Sequence, residues 1–498
     1  MRYLVLVAAL AWHLAAAAPC ESLAKLALPH STITLAEAVP AGELTLPAGA
    51  VPTFPGAPPP NFGNLPALCR VAAMLKPTID SNIKIEIWMP ASAWNGDLES
   101  VGNGAWAGSI TYRDLATAVK AGYAAASTDT GHSETTAAFV VGHPERLIDF
   151  AYRAVHEMTV AAKAFATAYY GTSPAHAYFN GCSTGGRQAL TEAQRFPADY
   201  DGIVAGAAAN YPTHLQGAQV WTTEITNQSD GYIPPAKYSL IHNAVLEACD
   251  ALDGVKDRVL EDPRRCHFDP QTIACKGPDA PTCLTPAQVE VARKIYAGPG
   301  ASLFPGLERG SELGWATLSG PKPMALAAET YQYLVFKDPN WDYLKFDPAR
   351  DIAMADKVAG PVMNSIDPDL KPFFGHGGKL LMYHGWADPG IAPENSVNYF
   401  TSVEDTVGGK SKAADSIRLF MVPGMGHCAG GDGTDDFDKI GALAQWVETG
   451  KAPDHIPAAH KTKGAIDRTR PLCPYPETAH YQGSGSTDDA ANFVCSAP

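Results

Sequence analysis

One stretch constrains this chain more than any other: Tyr178-Phe179-Asn180-Gly181-Cys182-Ser183-Thr184-Gly185-Gly186. An apolar run from His176 to Phe179 meets Gly-X-Ser-X-Gly, and Arg187-Gln188-Ala189-Leu190 then reads as a helix. Strand, sharp turn and helix in that order hold a seryl oxygen clear of the backbone at the top of a sheet. Glycines flank the serine because larger side chains would clash with neighbouring elements in so tight a turn. The bare pentapeptide recurs by chance, but with these flanks Ser183 reads as a candidate nucleophile rather than a turn residue.

The rest of the chain supplies the sheet that such an elbow needs. Ile83 to Met89 alternates apolar and polar, which predicts a strand with one wet face, stopped by Pro90 and a turn at Trp94-Asn95-Gly96-Asp97. Gly122 to Thr128 predicts a second strand. Glu145 to Tyr170 carries Leu147, Ile148, Ala151, Val155, Met158 and Ala162 at helical spacing and stops at Gly171. Gly202 to Gly206, Lys379 to Tyr383 and Ser416 to Val422 predict buried strands. Helices are expected from the elbow to Phe196, from Pro393, and over Asp435 to Thr449. Strands alternating with helices predict fold class α/β, a mainly parallel sheet wrapped on both faces.

Between Asn210 and His376 that rhythm stops. Pro, Gly and Asp are frequent, four cysteines fall here, and aromatics such as Trp221, Trp315, Tyr331 and Trp341 recur. Residues 210–376 read as an inserted domain over the C-terminal ends of the strands, where ligands of α/β sheets bind. Most of its aromatics are expected to fill its own core. Residues 19–209 and 377–498 would then form one catalytic domain, with Ala18 to Leu65, rich in Pro and Ala, as an irregular leading arm.

Residues 1–18 open with Arg2, run through Leu4 to Leu10 and end in small residues, the pattern of a signal peptide too short to span a bilayer. The expected location is therefore secreted or periplasmic. The formal charge of −15 argues against nucleic acid or an anionic membrane as partner. Ten cysteines behind such a leader read as a disulfide framework, and the absence of Cys-X-X-Cys weighs against zinc and redox sites. Spacing suggests Cys249–Cys266, Cys275–Cys283 and Cys473–Cys495. It leaves Cys20, Cys69, Cys182 and Cys428 to pair over longer distances.

A serine hydroxyl needs a base to take its proton and a third group to orient that base. In hydrolases of this kind the chain order is serine, acid, histidine. Ser183, Asp388 and His427 satisfy it, each of the later two just past a strand. Asp129 and His132 precede the serine, and His384 is too close to Asp388 to lie on a separate loop, so His384 reads as structural. Cys182 immediately precedes Ser183, and Cys428 immediately follows His427. A disulfide holds its Cα atoms about 5.5–6 Å apart, and each neighbour is only about 3.8 Å further along. One bond between Cys182 and Cys428 would therefore fix nucleophile and base loops together. The backbone N–H of Thr184 is the natural first oxyanion donor, with a second expected from the Gly102–Gly104 loop at Asn103. Inside the insertion, Asp250, Asp253 and Asp257 crowd into one turn. Calcium takes such oxygens, but counting from Asp253 the twelfth position is Arg264, not the Glu of an EF-hand. On the residues alone, an acidic turn and a calcium site stay equally open.

The Cys182-Ser183, Asp388 and His427-Cys428 set resembles the tannase and feruloyl esterase family. Tyr383-His384-Gly385-Trp386-Ala387-Asp388, Val422-Pro423-Gly424-Met425-Gly426-His427-Cys428 and Arg470-Pro471-Leu472-Cys473-Pro474-Tyr475-Pro476 support the likeness, which covers essentially the whole mature chain. It implies an α/β-hydrolase fold with a large inserted lid domain, disulfides that include Cys20–Cys69, and hydrolysis of esters of aromatic acids. It also implies a structural calcium held in the lid by Asp250, Asp253 and Asp257 and the carbonyls of Val255 and Val259. The family includes feruloyl esterases, tannases and the hydrolase of mono(2-hydroxyethyl) terephthalate, all with the same triad. No arginine of the insertion is matched to a substrate-carboxylate-binding position, so the expected substrate is a small feruloyl-type aromatic ester such as plant cell walls supply. Galloyl and terephthalate esters are the alternatives. A secreted calcium-dependent binding protein on a hydrolase scaffold is the competing class, and an intact triad speaks against it. Nothing in the sequence favours the amides of a serine peptidase.

Overall fold

The computed structural model describes residues 17–46, 50, 61–106, 108–228 and 230–498. The expected leader, 1–18, lies almost wholly outside them. Among the described residues a nine-stranded sheet forms the centre. Its strands are β1 (Ser31–Val39), β2 (Leu68–Leu75), β3 (Ile83–Pro90), β4 (Leu98–Val101), β5 (Ala124–Thr128), β6 (Ala177–Cys182), β7 (Gly202–Gly206), β8 (Lys379–Gly385) and β9 (Ile417–Val422). The spatial order is β1-β2-β3-β5-β4-β6-β7-β8-β9. The first three pairings are antiparallel, and every pairing from β5 to β9 is parallel. Strands β5 and β7 are buried at every position, as a parallel sheet covered on both faces requires.

The main helices are α1 (Tyr112–Lys120), α2 (Ala154–Tyr170), α3 (Thr184–Arg195), α4 (Pro212–Asn227), α5 (Tyr238–Cys249), α6 (Pro286–Ala297), α7 (Pro348–Val358), α8 (Glu394–Val407) and α9 (Lys439–Thr449). On one face of the sheet α1 and α9 set Leu115, Val119, Leu443 and Trp446 against Trp88, Tyr178, Val204 and Leu381. On the other, α2, α3 and α8 set Met158, Phe165, Leu190 and Val403 against Ile85, Phe179, Ile203 and Leu380. Each such fully buried side chain contributes about 1.5–3 kcal/mol. With the serine turn between β6 and α3, this is the α/β-hydrolase fold.

Three expectations change. The first part of the leading arm is not irregular: a 3₁₀ turn, Cys20–Lys25, precedes β1, and the Cys20–Cys69 bond staples it to β2, while the described residues from 40 to 65 form no strand or helix. As an edge strand, β1 exposes Thr32, Thr34 and Ala38 and only half buries Ile33 and Leu35; its pairing on β2 sets it in the sheet. Strand β3 is wet only at Lys84. Glu86 is buried and accepts from Arg70 Nη2 (2.7 Å), Arg70 Nε (3.0 Å), Trp88 Nε1 (2.8 Å) and Tyr112 Oη (2.8 Å). The long helix opens at Pro144–Ile148 and passes through a π-helical turn, Asp149–Arg153, before α2. There the buried Asp149 carboxylate takes Arg153 Nε (2.5 Å) and Ser81 Oγ (3.2 Å).

The segment between β7 and β8 carries α4 to α7 joined by short 3₁₀ turns. It packs around Ile241, Val245, Leu284, Ala292 and Trp315 in one cluster and Val220, Tyr331, Phe346 and Ile352 in another. Trp315 and Tyr331 are fully buried there, so these aromatics do fill the insertion's own core. Cys249–Cys266 and Cys275–Cys283 brace it. After β9 a three-stranded sheet and a two-stranded one follow, and Cys473–Cys495 closes the tail.

Candidate active site

Strand β6 ends at Cys182 and α3 starts at Thr184, which leaves Ser183 alone at φ 63°, ψ −120°. A non-glycine residue held there is strained by roughly 1–3 kcal/mol. Surrounding bonds hold it: Ser183 N donates to the Gly206 carbonyl, and its own carbonyl accepts from Arg187 N and Ala209 N, all at 3.0 Å. The turn can close only because Gly181 has no Cβ, since one would lie 2.4 Å from the Gly185 carbonyl oxygen.

Asp388 follows β8, and His427 follows β9. The two loops are bound to each other: Ala387 N donates to the Met425 carbonyl at 2.9 Å, and Trp386 N to that of Val422 at 2.9 Å. The Asp388 carboxylate is fully buried. Its Oδ1 accepts from Gly390 N (2.8 Å) and Ile391 N (2.9 Å), and its Oδ2 lies 2.6 Å from His427 Nδ1. Burial alone would raise its pKa, but charge and hydrogen bonds from His427 and His384 outweigh burial and hold it well below the usual carboxylate range. The same pairing raises His427 above the ordinary imidazole value despite the opposing effect of burial. The His427 side chain is 35% exposed, so the imidazole reaches the surface of the site while the Asp388 carboxylate does not.

His384, read from sequence as structural, is buried against the acid itself. Its Nε2 lies 3.1 Å from Asp388 Oδ2 and 3.2 Å from the Ile391 carbonyl, and its Nδ1 lies 2.8 Å from Ser396 Oγ. With the proton on Nε2, the ring donates to Asp388 and accepts the Ser396 hydroxyl. Its position on β8, four residues before the acid, is the signal that could have found this contact. Asp129 and His132 stay apart: Asp129 accepts from Lys84 N (2.8 Å) and Gly131 N (2.9 Å), and His132 Nε2 meets the Trp106 carbonyl at 2.8 Å.

The Cys182–Cys428 bond joins the serine and histidine turns, with Cα atoms 6.1 Å apart across 246 residues of chain. Thr184 N–H is one of the donors that open α3 without an intrahelical acceptor. Asn103 does not fill the expected role of second oxyanion donor. Its N–H is committed to Gln188 Oε1 (2.9 Å), and its side chain bonds Gln188 Nε2 (3.0 Å) and the Thr128 carbonyl (2.9 Å). A buried loop must satisfy its own N–H groups, and here α3 does so. The loop still presses on the helix start: a Cβ on Gly102 would lie 2.7 Å from Gly185 Cα.

In the acidic turn Asp253, Asp257, Glu261, Val255 and Val259, with Arg468 and Arg470, line a cavity of about 20 Å³, room for one small occupant. Burial, with Asp257 and Asp250 nearby, pushes Asp253 up to about 6. Burial pushes Glu261 up to about 8. The oxygens of Asp253, Asp257 and Glu261 suit a hard cation in kind, but Arg468 and Arg470 share the cavity with them. Arg470 Nη2 meets Asp257 Oδ2 at 2.5 Å. The three aspartates are not drawn into one ion-sized cluster, because Asp250 Oδ1 accepts from Asp257 N (3.2 Å) and Arg258 N (2.9 Å). A larger cavity, about 300 Å³, lies between the insertion and the loops after β8 and β9, with His427 in its wall.

The family model described as tannase and feruloyl esterase matches residues 69–496. An esterase of Xanthomonas campestris pv. campestris is 36% identical, the match covering 99% of this chain and 94% of that one. A probable feruloyl esterase B-2 of Aspergillus terreus is 35% identical over 98% of this chain and 97% of its own. Among solved structures, feruloyl esterase B from Aspergillus oryzae superposes with a TM-score of 0.89 at 32% identity, over 96% of this chain and 99% of that one.

Proposed function

The chain belongs to the tannase and feruloyl esterase family of carboxylic ester hydrolases, and we propose that it is a secreted serine esterase of hydroxycinnamic, feruloyl-type esters. The observation that carries this reading is the 2.6 Å contact of His427 with a buried Asp388, one residue from a disulfide whose other cysteine precedes Ser183. In the reaction, His427 Nε2 takes the proton of Ser183 Oγ as that oxygen attacks the ester carbonyl. Thr184 N–H stabilises the oxyanion. The bond to the alcohol oxygen breaks, His427 returns the proton to that oxygen, and the acid remains esterified to Ser183. Water, deprotonated by the same imidazole, then frees the aromatic acid and restores the serine. Asp388 keeps Nδ1–H oriented and supports the imidazolium throughout.

The feruloyl preference rests on the names of the relatives at about 35% identity. Galloyl and terephthalate esters are the other members of the same class. All ten cysteines are paired, which suits an oxidising compartment. A calcium ion, when bound, would be held by the carboxylates of Asp250, Asp253 and Asp257 and the carbonyls of Val255 and Val259. It would relieve repulsion in the turn and take no part in the chemistry. Specificity constants for methyl ferulate, methyl gallate and the monoester of terephthalic acid test the substrate reading. Methyl ferulate is expected to lead; a leading gallate or terephthalate ester contradicts it, and failure to cleave any of them removes the esterase assignment.

A further inference from the structure

We propose that the cavity beside His427 receives the alcohol half of the ester, and that Arg258 and Arg309 in its wall select alcohols that carry a carboxylate, such as hydroxy acids or sugar acids. The proposal rests on the esterase reading. The imidazole that returns a proton to the departing oxygen must face that oxygen, so the alcohol lies on the histidine's side of the site. The cavity of about 300 Å³ on that side is bounded by His427 and the Trp386–Pro389 loop below and by the insertion above. Leu260, Leu313 and Trp386 give it an apolar wall, and its volume suits a small polyol or acid.

Its charged groups are unbalanced. Arg258, Arg309 and His242 stand against one carboxylate, Asp432. Asp432 already faces His242 Nε2 at 3.4 Å, and the other ring nitrogen meets Glu312 at 2.9 Å. Burial opposes protonation of that ring, but the two carboxylates outweigh it and push His242 up to about 9, so it is charged at neutral pH. Among the described residues neither arginine has a carboxylate oxygen within 4.0 Å. Arg309 donates Nε and Nη2 to the Phe268 carbonyl, both at 3.2 Å, and its guanidinium lies 4.6 Å from the Tyr296 ring centre. Those bonds fix the group without using all five of its N–H donors. Arg258 sits at φ 70°, a backbone angle at which glycine is easier, held by the bond from its N–H to Asp250. Its head group meets only Asn243 Oδ1, at 3.5 Å. The Arg309 guanidinium, fixed by the Phe268 carbonyl, and the exposed Arg258 head group, which lies near Asp432 without pairing to it, stand beside the proton donor of the leaving group and suit an anion on the alcohol.

The test uses carboxymethyl ferulate, its neutral isostere carbamoylmethyl ferulate, and methyl ferulate. The full-length enzyme is expected to cleave the carboxymethyl ester about tenfold more efficiently than the carbamoylmethyl ester, as one charge-assisted pair allows. Most of the gain is expected in KM, and it should shrink as salt is raised. Arg258→Gln and Arg309→Gln should each erase most of that ratio while leaving methyl ferulate within about twofold, the neutral ester also reporting that the variants fold. Equal rates on the two isosteres in the unaltered enzyme, or an unchanged ratio in both variants, overturn the proposal. The methyl monoester of terephthalic acid carries its carboxylate on the acyl side. If the substitutions weaken that ester instead, the cavity holds the acyl half and the proposal is wrong. Failure to cleave methyl ferulate would count against the esterase reading first.

Discussion

The sheet and the insertion are built on opposite principles. Around Ser183, Asp388 and His427, parallel strands buried on both faces end in short loops that bond one another directly. The insertion holds itself together with isolated helices, 3₁₀ turns, two short-range disulfides and a knot of acids. A parallel sheet can fix side chains at its strand ends to fractions of an ångström because each strand end is held by its neighbours. A segment with its own small cores can change shape without disturbing those strand ends. Chemistry should therefore be sensitive to the strand-end loops and selectivity to the insertion.

Substitutions give the widest separation. Ser183→Ala is expected to lower kcat by about five to six orders of magnitude, and Asp388→Asn by about four. Both should leave thermal unfolding nearly unchanged; residual turnover within tenfold of the parent would break the assignment. The disulfides give the next contrast. Loop-closure entropy makes Cys182–Cys428, across 246 residues, worth roughly 5 kcal/mol, and Cys275–Cys283, across 8, about 2.5 kcal/mol. Denaturant titration of Cys275→Ser/Cys283→Ser should show the smaller loss with kcat on methyl ferulate intact. A large fall in kcat would mean that the insertion does set the chemistry.

Chelation should act on the insertion side only. If calcium fills the acidic turn, EDTA is expected to lower the melting temperature by a few degrees, with calcium restoring it and magnesium not. No shift would leave the turn as a salt-bridged loop with Arg470. The smallest effect is on pH. His427 must be neutral to act as base, and Asp388 raises its pKa, so the acid limb of kcat/KM should lie above the ordinary imidazole value of 6.5. The pairing also stabilises the fold below the unfolded pKa, and that gain fades as pH rises through the folded one. An acid limb below 6.5 would contradict the pairing.

Much of the sheet is legible in the sequence because buried parallel strands are short apolar runs bounded by turn residues, as at β7 and β8. Strands β1, β2 and β4 are not, since their pairing is set across the sheet rather than along the chain. Alternation at β3 misleads because Glu86, although polar, is buried with Arg70. In the site, the contact of Asp388 with His427 and the bond between Cys182 and Cys428 are readable because each residue stands at or just past a strand end. Asn103 misleads because nothing local reveals that Gln188, 85 residues on, takes its N–H. The same holds for the two arginines of the insertion, whose relation to His427 exists only once the chain is folded.

The cross-link between the serine and histidine turns is the centre of this reading, and kcat of a folded Cys182→Ala/Cys428→Ala enzyme on methyl ferulate tests it most directly. Measured well below its lowered melting point, kcat is expected to fall about a hundredfold with KM little changed, as displacement of reacting groups by about 1 Å allows. A kcat equal to that of the parent would mean that the strands alone align hydroxyl and imidazole, and that the sulfurs serve only stability.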